Sequence, residues 1–348
     1  MAPSTMKAIK VISAGKAEIQ DVPVPALRDG CVLIKISCVA MNPIDWMNRD
    51  YLPIAGSTLG CDFSGTIEDI DSNATKQWTK GDRVSGWTLQ NNIVQKEDGA
   101  FAEYVVINAD LLLRVPDSMT DEEAASPSAG IATAGMGLFQ KLGMDFPGEG
   151  EGGKGEFVLI YGGTSATATI AIQFAKLAGY EVVTTCSARS FDHVKSLGAS
   201  AAFDYKDPDC AAKIREHTGD KLTKIFDTIS KDDSPKICAA AISSNGGTIS
   251  TTLPYPEDFG RKDVTAVMFY TLGLWGKEFG YGEQVFPGNP DDFEFAKHLY
   301  DVAEKLLHDG KIKVHQPKTS ETGLEGVFDG LELIKNGQAS GVKLVYKL

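Results

Sequence analysis

The sequence has no run of about 20 apolar residues, so no segment is fit to cross a bilayer as a helix. Its start, Met1-Ala2-Pro3-Ser4-Thr5-Met6-Lys7, places no apolar stretch behind a basic one and is read as carrying no secretory leader. Cysteine is sparse. The six (Cys31, Cys38, Cys61, Cys186, Cys210, Cys238) are scattered and form no C-x-x-C pair, which argues against a disulfide framework or a structural zinc site. They are read as reduced thiols of a cytoplasmic protein. The five histidines, His193, His217, His298, His308 and His315, show no catalytic spacing and are read as surface or packing residues. Positive charge is in deficit: 34 Lys+Arg against 47 Asp+Glu leave a net charge of −13. Such a chain repels phosphate backbones and anionic membranes, so neither nucleic acid nor membrane is an expected partner. A local basic site for one phosphate stays open.

What is present suits a globular protein. The 348 residues allow about two domains, and 43% hydrophobic residues can bury sizeable cores. The first third reads as β: Cys31–Ala40, Phe63–Ile70 and Phe101–Ile107, punctuated by Asn42-Pro43, Lys80-Gly81-Asp82 and Asp98-Gly99. Short strands at this spacing suggest a barrel-like unit. The run Gly148–Gly155 is low in complexity, unable to pack, and read as a mobile surface loop. From Glu156 strands and helices alternate: Phe157–Tyr161, a helix from Ala168 to Ala178, Glu181–Cys186, a helix from His193 to Leu197, Ala201–Tyr205, Ile225–Ile229 and Gly247–Thr251. This rhythm predicts a parallel, doubly wound sheet. Helices over Phe293–His308 and Gly326–Asn336 follow, then a strand at Lys343–Tyr346 able to return to the first domain.

The first strand-to-helix turn, Tyr161-Gly162-Gly163-Thr164-Ser165-Ala166-Thr167-Ala168, matches the dinucleotide fingerprint imperfectly. Its small residues still let backbone N–H groups approach a pyrophosphate at a helix start. The end of the next strand selects the cofactor. A site for NAD places an acid there to hold the ribose 2′-hydroxyl. Here the residues are Cys186-Ser187-Ala188-Arg189-Ser190, with Tyr205 after the following strand. Hydroxyls and a guanidinium suit a 2′-phosphate. At about 1.5–3 kcal/mol per hydrogen bond to a charged group, two such bonds favour NADPH over NADH by roughly a hundredfold.

These residues carry a resemblance to the zinc-free medium-chain dehydrogenases/reductases. It extends over nearly the whole chain, through Gly60-Cys61-Asp62-Phe63-Ser64-Gly65-Thr66, Gly81-Asp82-Arg83-Val84, Gly99-Ala100-Phe101-Ala102-Glu103-Tyr104, Arg114-Val115-Pro116, the turn above, and Ser340-Gly341-Val342-Lys343-Leu344-Val345. The segments Tyr161–Thr169, Thr185-Cys186-Ser187, Lys195–Ala199 and Phe203-Asp204-Tyr205 are most similar to the fungal trans-acting enoyl reductases of polyketide biosynthesis. The resemblance implies an α/β protein: a GroES-like β-barrel domain (residues 1–125 and 310–348) and an inserted Rossmann domain (126–309) with NADPH in the cleft. It also implies a polyketide synthase or its acyl carrier domain as partner.

Site residues follow from that resemblance. Ile44, Asp45, Trp46 and Met47 approach the cofactor from the β domain. Thr164, Ser165, Ala166 and Thr167 cradle the pyrophosphate. Ser187, Ala188, Arg189, Ser190 and Tyr205 surround the 2′-phosphate. Thr252 and Leu253 lie by the nicotinamide half, and Ala339 and Ser340 close over it. Thr133 is the candidate to position a thioester carbonyl or the nicotinamide amide. Asp45 is a catalytic candidate, with turn capping an equal alternative. Ala134, Gly135, Met136, Gly137, Leu138, Phe139, Gln140 and Lys141 are expected to line the substrate channel, with Gly273, Leu274, Trp275, Gly276 and Lys277, though core packing is as good a reading for Phe269–Trp275. No metal is expected: Gly60-Cys61-Asp62 stands where zinc enzymes carry Gly-His-Glu, and no partner histidine is near. Many relatives read Asn-Pro-x-Asp-x-Lys, whereas this chain ends the segment in Met47, which donates no proton. A stand-alone quinone or enone reductase, a non-redox isomerase or cyclase that retains NADPH, and a pure binding role are the competing readings. The irregular stretch Gly276–Asp292 is expected to block a sheet edge and favour a monomer.

Overall fold

The computed structural model describes residues 2–348. The chain divides into two compact units. One holds the residues up to Ala129 together with Leu272–Leu348; the other is Gly130–Thr271.

The unit Gly130–Thr271 is built on six parallel strands. Across the sheet they run Ala201–Phe203, Glu181–Thr185, Phe157–Tyr161, Lys224–Asp227, Gly247–Thr251 and Val264–Met268. Counted along the chain this is the order 3-2-1-4-5-6 of a doubly wound nucleotide-binding sheet. The central strands can be apolar throughout because both faces are covered: Val158, Leu159, Ile160, Val182 and Val183 have no exposed surface. The order reverses between Phe157–Tyr161 and Lys224–Asp227, and the loops at their carboxyl ends are where such sheets take ligands.

Local chemistry sets the element boundaries. The first crossover helix is Ala166–Leu177, two residues earlier than its apolar spacing suggests, because the Ser165 hydroxyl caps it and accepts from the Ala168 amide at 3.0 Å. The sequence reading missed Val264–Met268, a half-exposed edge strand of mixed polarity, and the short helices Cys210–His217 and Ser234–Ala241. It also took the glycine-rich run as unable to pack. Gly153 in fact donates to the Ala178 carbonyl at 2.9 Å, and a Cβ there would stand 2.4 Å from the Tyr180 ring. Glycine is needed for that approach. Helix Ser128–Gly135 continues into a wider π-helical turn, Met136–Lys141. Gly137 in that turn lies flat on the Phe226 ring, where a Cβ would meet ring carbons at 2.8–3.1 Å.

The other unit is mostly antiparallel β. Its main sheet runs Pro317–Ser320, Lys343–Lys347, Cys31–Ala40, Asp62–Ile70, Arg83–Trp87 and Leu113–Arg114, with Tyr104–Asn108 also paired to Cys31–Ala40. The final strand thus returns to pair with an early one, Val345 opposite Ala40. A hairpin of Thr5–Ser13 and Lys16–Pro23 joins through bridges at Ala8–Ala102 and Lys10–Thr58. Residues 272–309 group here, although the sequence reading put them in the second domain. The reason is visible in helix Pro290–His308: its Glu304 accepts from the Arg114 amide at 2.7 Å and pairs with Lys76 at 2.9 Å. The stretch read as irregular contains a hairpin, Phe279–Tyr281 with Gln284–Phe286, whose two phenylalanine rings stack at 5.3 Å.

Candidate functional site

The carboxyl ends of the parallel strands carry the candidates Thr164–Thr167, Ser187–Ser190, Tyr205, Thr252 and Leu253. Gly162 takes φ +84°, and a Cβ there would stand 2.5 Å from Ile229. At Gly163 a Cβ would stand 2.3 Å from the Thr184 hydroxyl. Both positions therefore demand glycine, and they hold the turn tight against the sheet. Beyond them the amides of Thr164, Ala166 and Thr167 have no intrachain acceptor among the described residues, and these residues are half-exposed. Three unpaired N–H groups at the start of a twelve-residue helix form an anion cradle. The cradle fits a pyrophosphate. The Ser165 hydroxyl is not part of it, being used in the cap and in a 3.0 Å bond with Thr228.

The second strand ends in a short 3-10 turn, Ala188–Ser190, with Arg189 exposed and without an acidic partner among the described residues. Tyr205 is 39% exposed, and the Lys206 ammonium lies 6.0 Å from its ring centre, also without an ion pair. Lys206 was missed in the sequence. Its signal was simply adjacency to Tyr205 on the same turn. Two free cations with the Ser187 and Ser190 hydroxyls give the region the chemistry of a phosphate site.

A buried carboxylate organises the loops at the switch point. Asp227, fully buried, accepts from the amides of Ile229 and Ser230, both at 2.9 Å, from the Ser234 hydroxyl at 2.5 Å and from the Tyr255 hydroxyl at 2.6 Å. Ser230 is held at φ +54° and in turn accepts from the Thr252 amide at 3.0 Å. Thr252 is thus tied to the end of the neighbouring strand. Sequence reading missed Asp227, because nothing in Ile225–Ile229 separates a hub from a strand-end acid.

Thr133 is half-buried on helix Ser128–Gly135 between the buried Ala132 and Ala134, and its hydroxyl lies 3.4 Å from that of Thr271. The expected channel segment is largely core. Leu138 has no exposure, and Phe139 packs on Phe146 at 4.4 Å and Phe174 at 5.5 Å between ring centres; only Gln140 and Lys141 are half-exposed past that point.

The remaining candidates belong to the other unit. Ile44, Asp45, Trp46 and Met47 lie on helix Pro43–Asp50. Asp45 has no exposed surface and closes a capping box: its carboxylate accepts from the Asn42 amide at 2.6 Å and from the Gln90 side chain. This is the turn-capping geometry that was weighed against catalysis. Burial pushes the Asp45 carboxyl up to about 7, against the pull of those hydrogen bonds and of the Lys343 charge. Trp46 packs edge-on against Tyr51 at 5.4 Å, and Met47 is half-buried. Gly273, Leu274 and Trp275 are buried, Trp275 edge-on to Trp87 at 5.8 Å, whereas Lys277 is exposed. Ala339 and Ser340 lie in the turn that leads into the last strand.

Next to Asp45 stands a buried ion pair. The Lys343 ammonium donates to Asp62 at 2.8 Å and to the Asn42 side-chain carbonyl at 2.7 Å. Asp62 also accepts from the Asn42 amide group at 2.9 Å and from the Ala129 backbone at 2.7 Å. Both Asp62 oxygens thus accept from donors, one of them a cation, and burial keeps the neighbouring Cys61 thiol protonated, well above the usual range. These residues do not fit a zinc ion, whose ligands must be deprotonated and free. Among the described residues no three His, Cys, Asp or Glu are grouped to hold a metal.

Asp45 has a stability signature. Its ordinary value near 3.8 rises to about 7 on folding. The folded state therefore holds that proton more tightly, and its contribution is present below the unfolded value and lost as pH rises through 7. Between pH 5.5 and 8 wild type is expected to lose about 2 kcal/mol relative to Asp45→Asn, which carries no charge at either pH. Urea unfolding of both proteins at the two pH values measures it; an unchanged difference would remove the shift.

Comparison with known proteins agrees with this geometry. Residues 28–117 match the alcohol dehydrogenase GroES-like domain, and residues 166–273 match the zinc-binding dehydrogenase domain. A trans-enoyl reductase of Alternaria alternata is 39% identical over 99% of both chains. One of Aspergillus niger is 39% identical over 99% of this chain and 97% of its own. The chain belongs to the trans-enoyl reductases, within the medium-chain dehydrogenases/reductases. It is an oxidoreductase of the enoyl reductase type with a nicotinamide cofactor. Solved structures bear out the fold: the quinone oxidoreductase of Coxiella burnetii (TM-score 0.74, 23% identity, 99% of both chains) and the CurK enoyl reductase (TM-score 0.77, 18% identity, 99% of both chains). Among the described residues no helix is long and apolar enough to cross a membrane.

Proposed function

We propose that this enoyl reductase uses NADPH and acts in trans on α,β-unsaturated acyl chains carried as thioesters by a polyketide synthase. The observation that supports the cofactor choice is the end of the second parallel strand, where Ser187, Arg189 and Ser190 follow with no acid among them and Arg189 is exposed and without an ion pair among the described residues. NADPH bound there would supply a hydride to the β-carbon. The chain's own residues bind and orient. The amides of Thr164, Ala166 and Thr167 take the pyrophosphate, and Ser187, Arg189, Ser190, Tyr205 and Lys206 take the 2′-phosphate. Thr252 and Leu253 hold the nicotinamide half. The α-carbon must then gain a proton. Met47 cannot give it, and Asp45 is closed off in its cap, so the donor is water or another group. No step requires a metal: a conjugated thioester is already polarised toward hydride addition.

The test follows absorbance of the reduced nucleotide and product mass together, with a panel of enoyl pantetheine thioesters and then carrier-bound chains. Consumption is expected with a two-dalton gain, at least tenfold faster at low NADPH than at equal NADH. Turnover confined to free quinones or enones would replace this reading with a stand-alone reductase. Product formed without consumption of NADPH would replace it with a non-redox one.

A further inference from the structure

Three buried side chains of the unit that includes Lys343 end in donors without an acceptor among the described residues: the indole N–H groups of Trp87 and Trp275 and the Tyr300 hydroxyl. Buried polar atoms are nearly always paired, so each such group needs an account. The three residues are 2%, 8% and 1% exposed. They come from three elements. Trp87 ends strand Arg83–Trp87 and stands opposite Asp62, Trp275 ends the turn Thr271–Trp275, and Tyr300 lies midway along helix Pro290–His308. The two indoles meet edge-on at 5.8 Å. The Trp87 N–H faces the Tyr300 oxygen without closing a hydrogen bond on it, and burial beside Asp62 and Cys61 keeps the Tyr300 hydroxyl protonated, well above its usual range. Neither neighbour takes up a donor from the group. Asp62 is spent on Lys343, Asn42 and Ala129, and the Cys61 thiol points to the Thr88 carbonyl at 4.0 Å.

An indole N–H can only donate, and the Tyr300 O–H is free to donate as well. Such a group offers little to a metal ion or an amine and suits an oxygen with two lone pairs. The Lys343 charge is already paired, so the place favours an acceptor that is neutral at rest and gains charge in passing. A carbonyl under attack is such an acceptor. We infer that Trp87, Trp275 and Tyr300 donate to the carbonyl oxygen of the acyl thioester and hold it as charge builds there during reduction. This rests on the enoyl thioester reading above. Hydride addition at the β-carbon breaks the alkene π bond. Its electron pair forms the carbon–carbon double bond of an enolate, while the carbonyl π pair moves onto the oxygen; a proton at the α-carbon reverses the shift. Donors already in place stabilise the oxygen more in its charged state than before it. Trp275 keeps the most exposed surface of the three, so the acyl chain reaches the group from its side. Of the three, only Trp275 was expected from the sequence to meet substrate.

Two measurements on the full chain test this. Tyr300→Phe deletes an O–H that no protein group uses, so its urea midpoint should stay at or above that of wild type. Its kcat with NADPH and an enoyl pantetheine thioester should fall about tenfold or more, with KM changed less than about threefold. The second measurement is nitrogen-15 NMR of the indole N–H groups, of which the chain has four. With NADP+ present, the Trp87 and Trp275 resonances, assigned from single Trp→Phe variants, should move downfield on adding a saturated acyl pantetheine thioester. The matching thioether, which lacks that carbonyl, should not move them. A Tyr300→Phe enzyme with wild-type kcat, or indole resonances that do not tell thioester from thioether, overturns the inference and leaves the reductase reading standing; the donors would then hold a buried water only. A Tyr300→Phe protein of lower stability overturns it too, because its hydroxyl would already have a partner. A wild type that reduces no enoyl thioester overturns the reductase reading, and the resonances still decide the site.

Discussion

Lys343→Met is expected to destabilise the protein by about 3–5 kcal/mol. The Lys343 side chain is 4% exposed and that of Asp62 is 0% exposed. Taking the ammonium away leaves the Asp62 carboxylate buried with only the Asn42 amide group and the Ala129 backbone as donors. It also leaves the Asn42 carbonyl without its donor. The pair itself need not be worth that much, because removing both charges together is often neutral or better. The double variant Lys343→Met, Asp62→Leu should therefore recover most of the loss. Thermal unfolding of the three proteins decides it. A single variant within 1 kcal/mol of wild type would mean that the carboxylate takes up a proton or water at little cost. The pair joins the final strand to the residue that caps helix Pro43–Asp50, so that Ile44, Trp46 and Met47 are placed by a residue some 300 positions away.

That distance explains what was and was not legible in the sequence. The parallel sheet was, because each strand is an apolar run followed by helical spacing, and this pattern is local. The placement of the glycine turn, Arg189 and Tyr205 directly after strands was legible for the same reason. The helix over Phe293–His308 was legible too, observed as Pro290–His308, but the hairpin before it was not, nor was their grouping with the first unit, where Glu304 meets Lys76 and Arg114, contacts that no window of sequence contains. Leu138 and Phe139 show the opposite failure. In the sequence they look like a channel wall, but Gly137 beside them admits the Phe226 ring and both side chains are buried. Lys343 and Asp62 each look like ordinary surface residues in the sequence. Only pairing of the last strand with Cys31–Ala40 brings them together.

Asp227 offers the second large effect, on binding as well as on stability. Its first carboxylate oxygen accepts from two backbone amides and its second from two hydroxyls. Asp227→Ala strands all four donors. The hydroxyls of Ser234 and Tyr255 can turn elsewhere, but the amides of Ile229 and Ser230 cannot, and each buried donor without a partner costs about 1–3 kcal/mol. A loss of about 2–6 kcal/mol is expected, to be read from urea unfolding. Asp227→Asn keeps one carbonyl for the amides, and its NH2 can donate to either hydroxyl oxygen, so it should fall within about 1.5 kcal/mol of wild type. The loops it ties down carry Thr228, which bonds Ser165 at the cradle, and Ser230, which bonds Thr252. Their release should weaken binding of the nicotinamide nucleotide at least tenfold in Asp227→Ala and by less than threefold in Asp227→Asn, since preorganised donors bind without the cost of ordering them. If the alanine variant unfolded as wild type yet bound NADPH poorly, Asp227 would be acting on the ligand directly. If it lost stability but kept its affinity, the hub would hold the sheet and leave the cradle to the glycine turn alone.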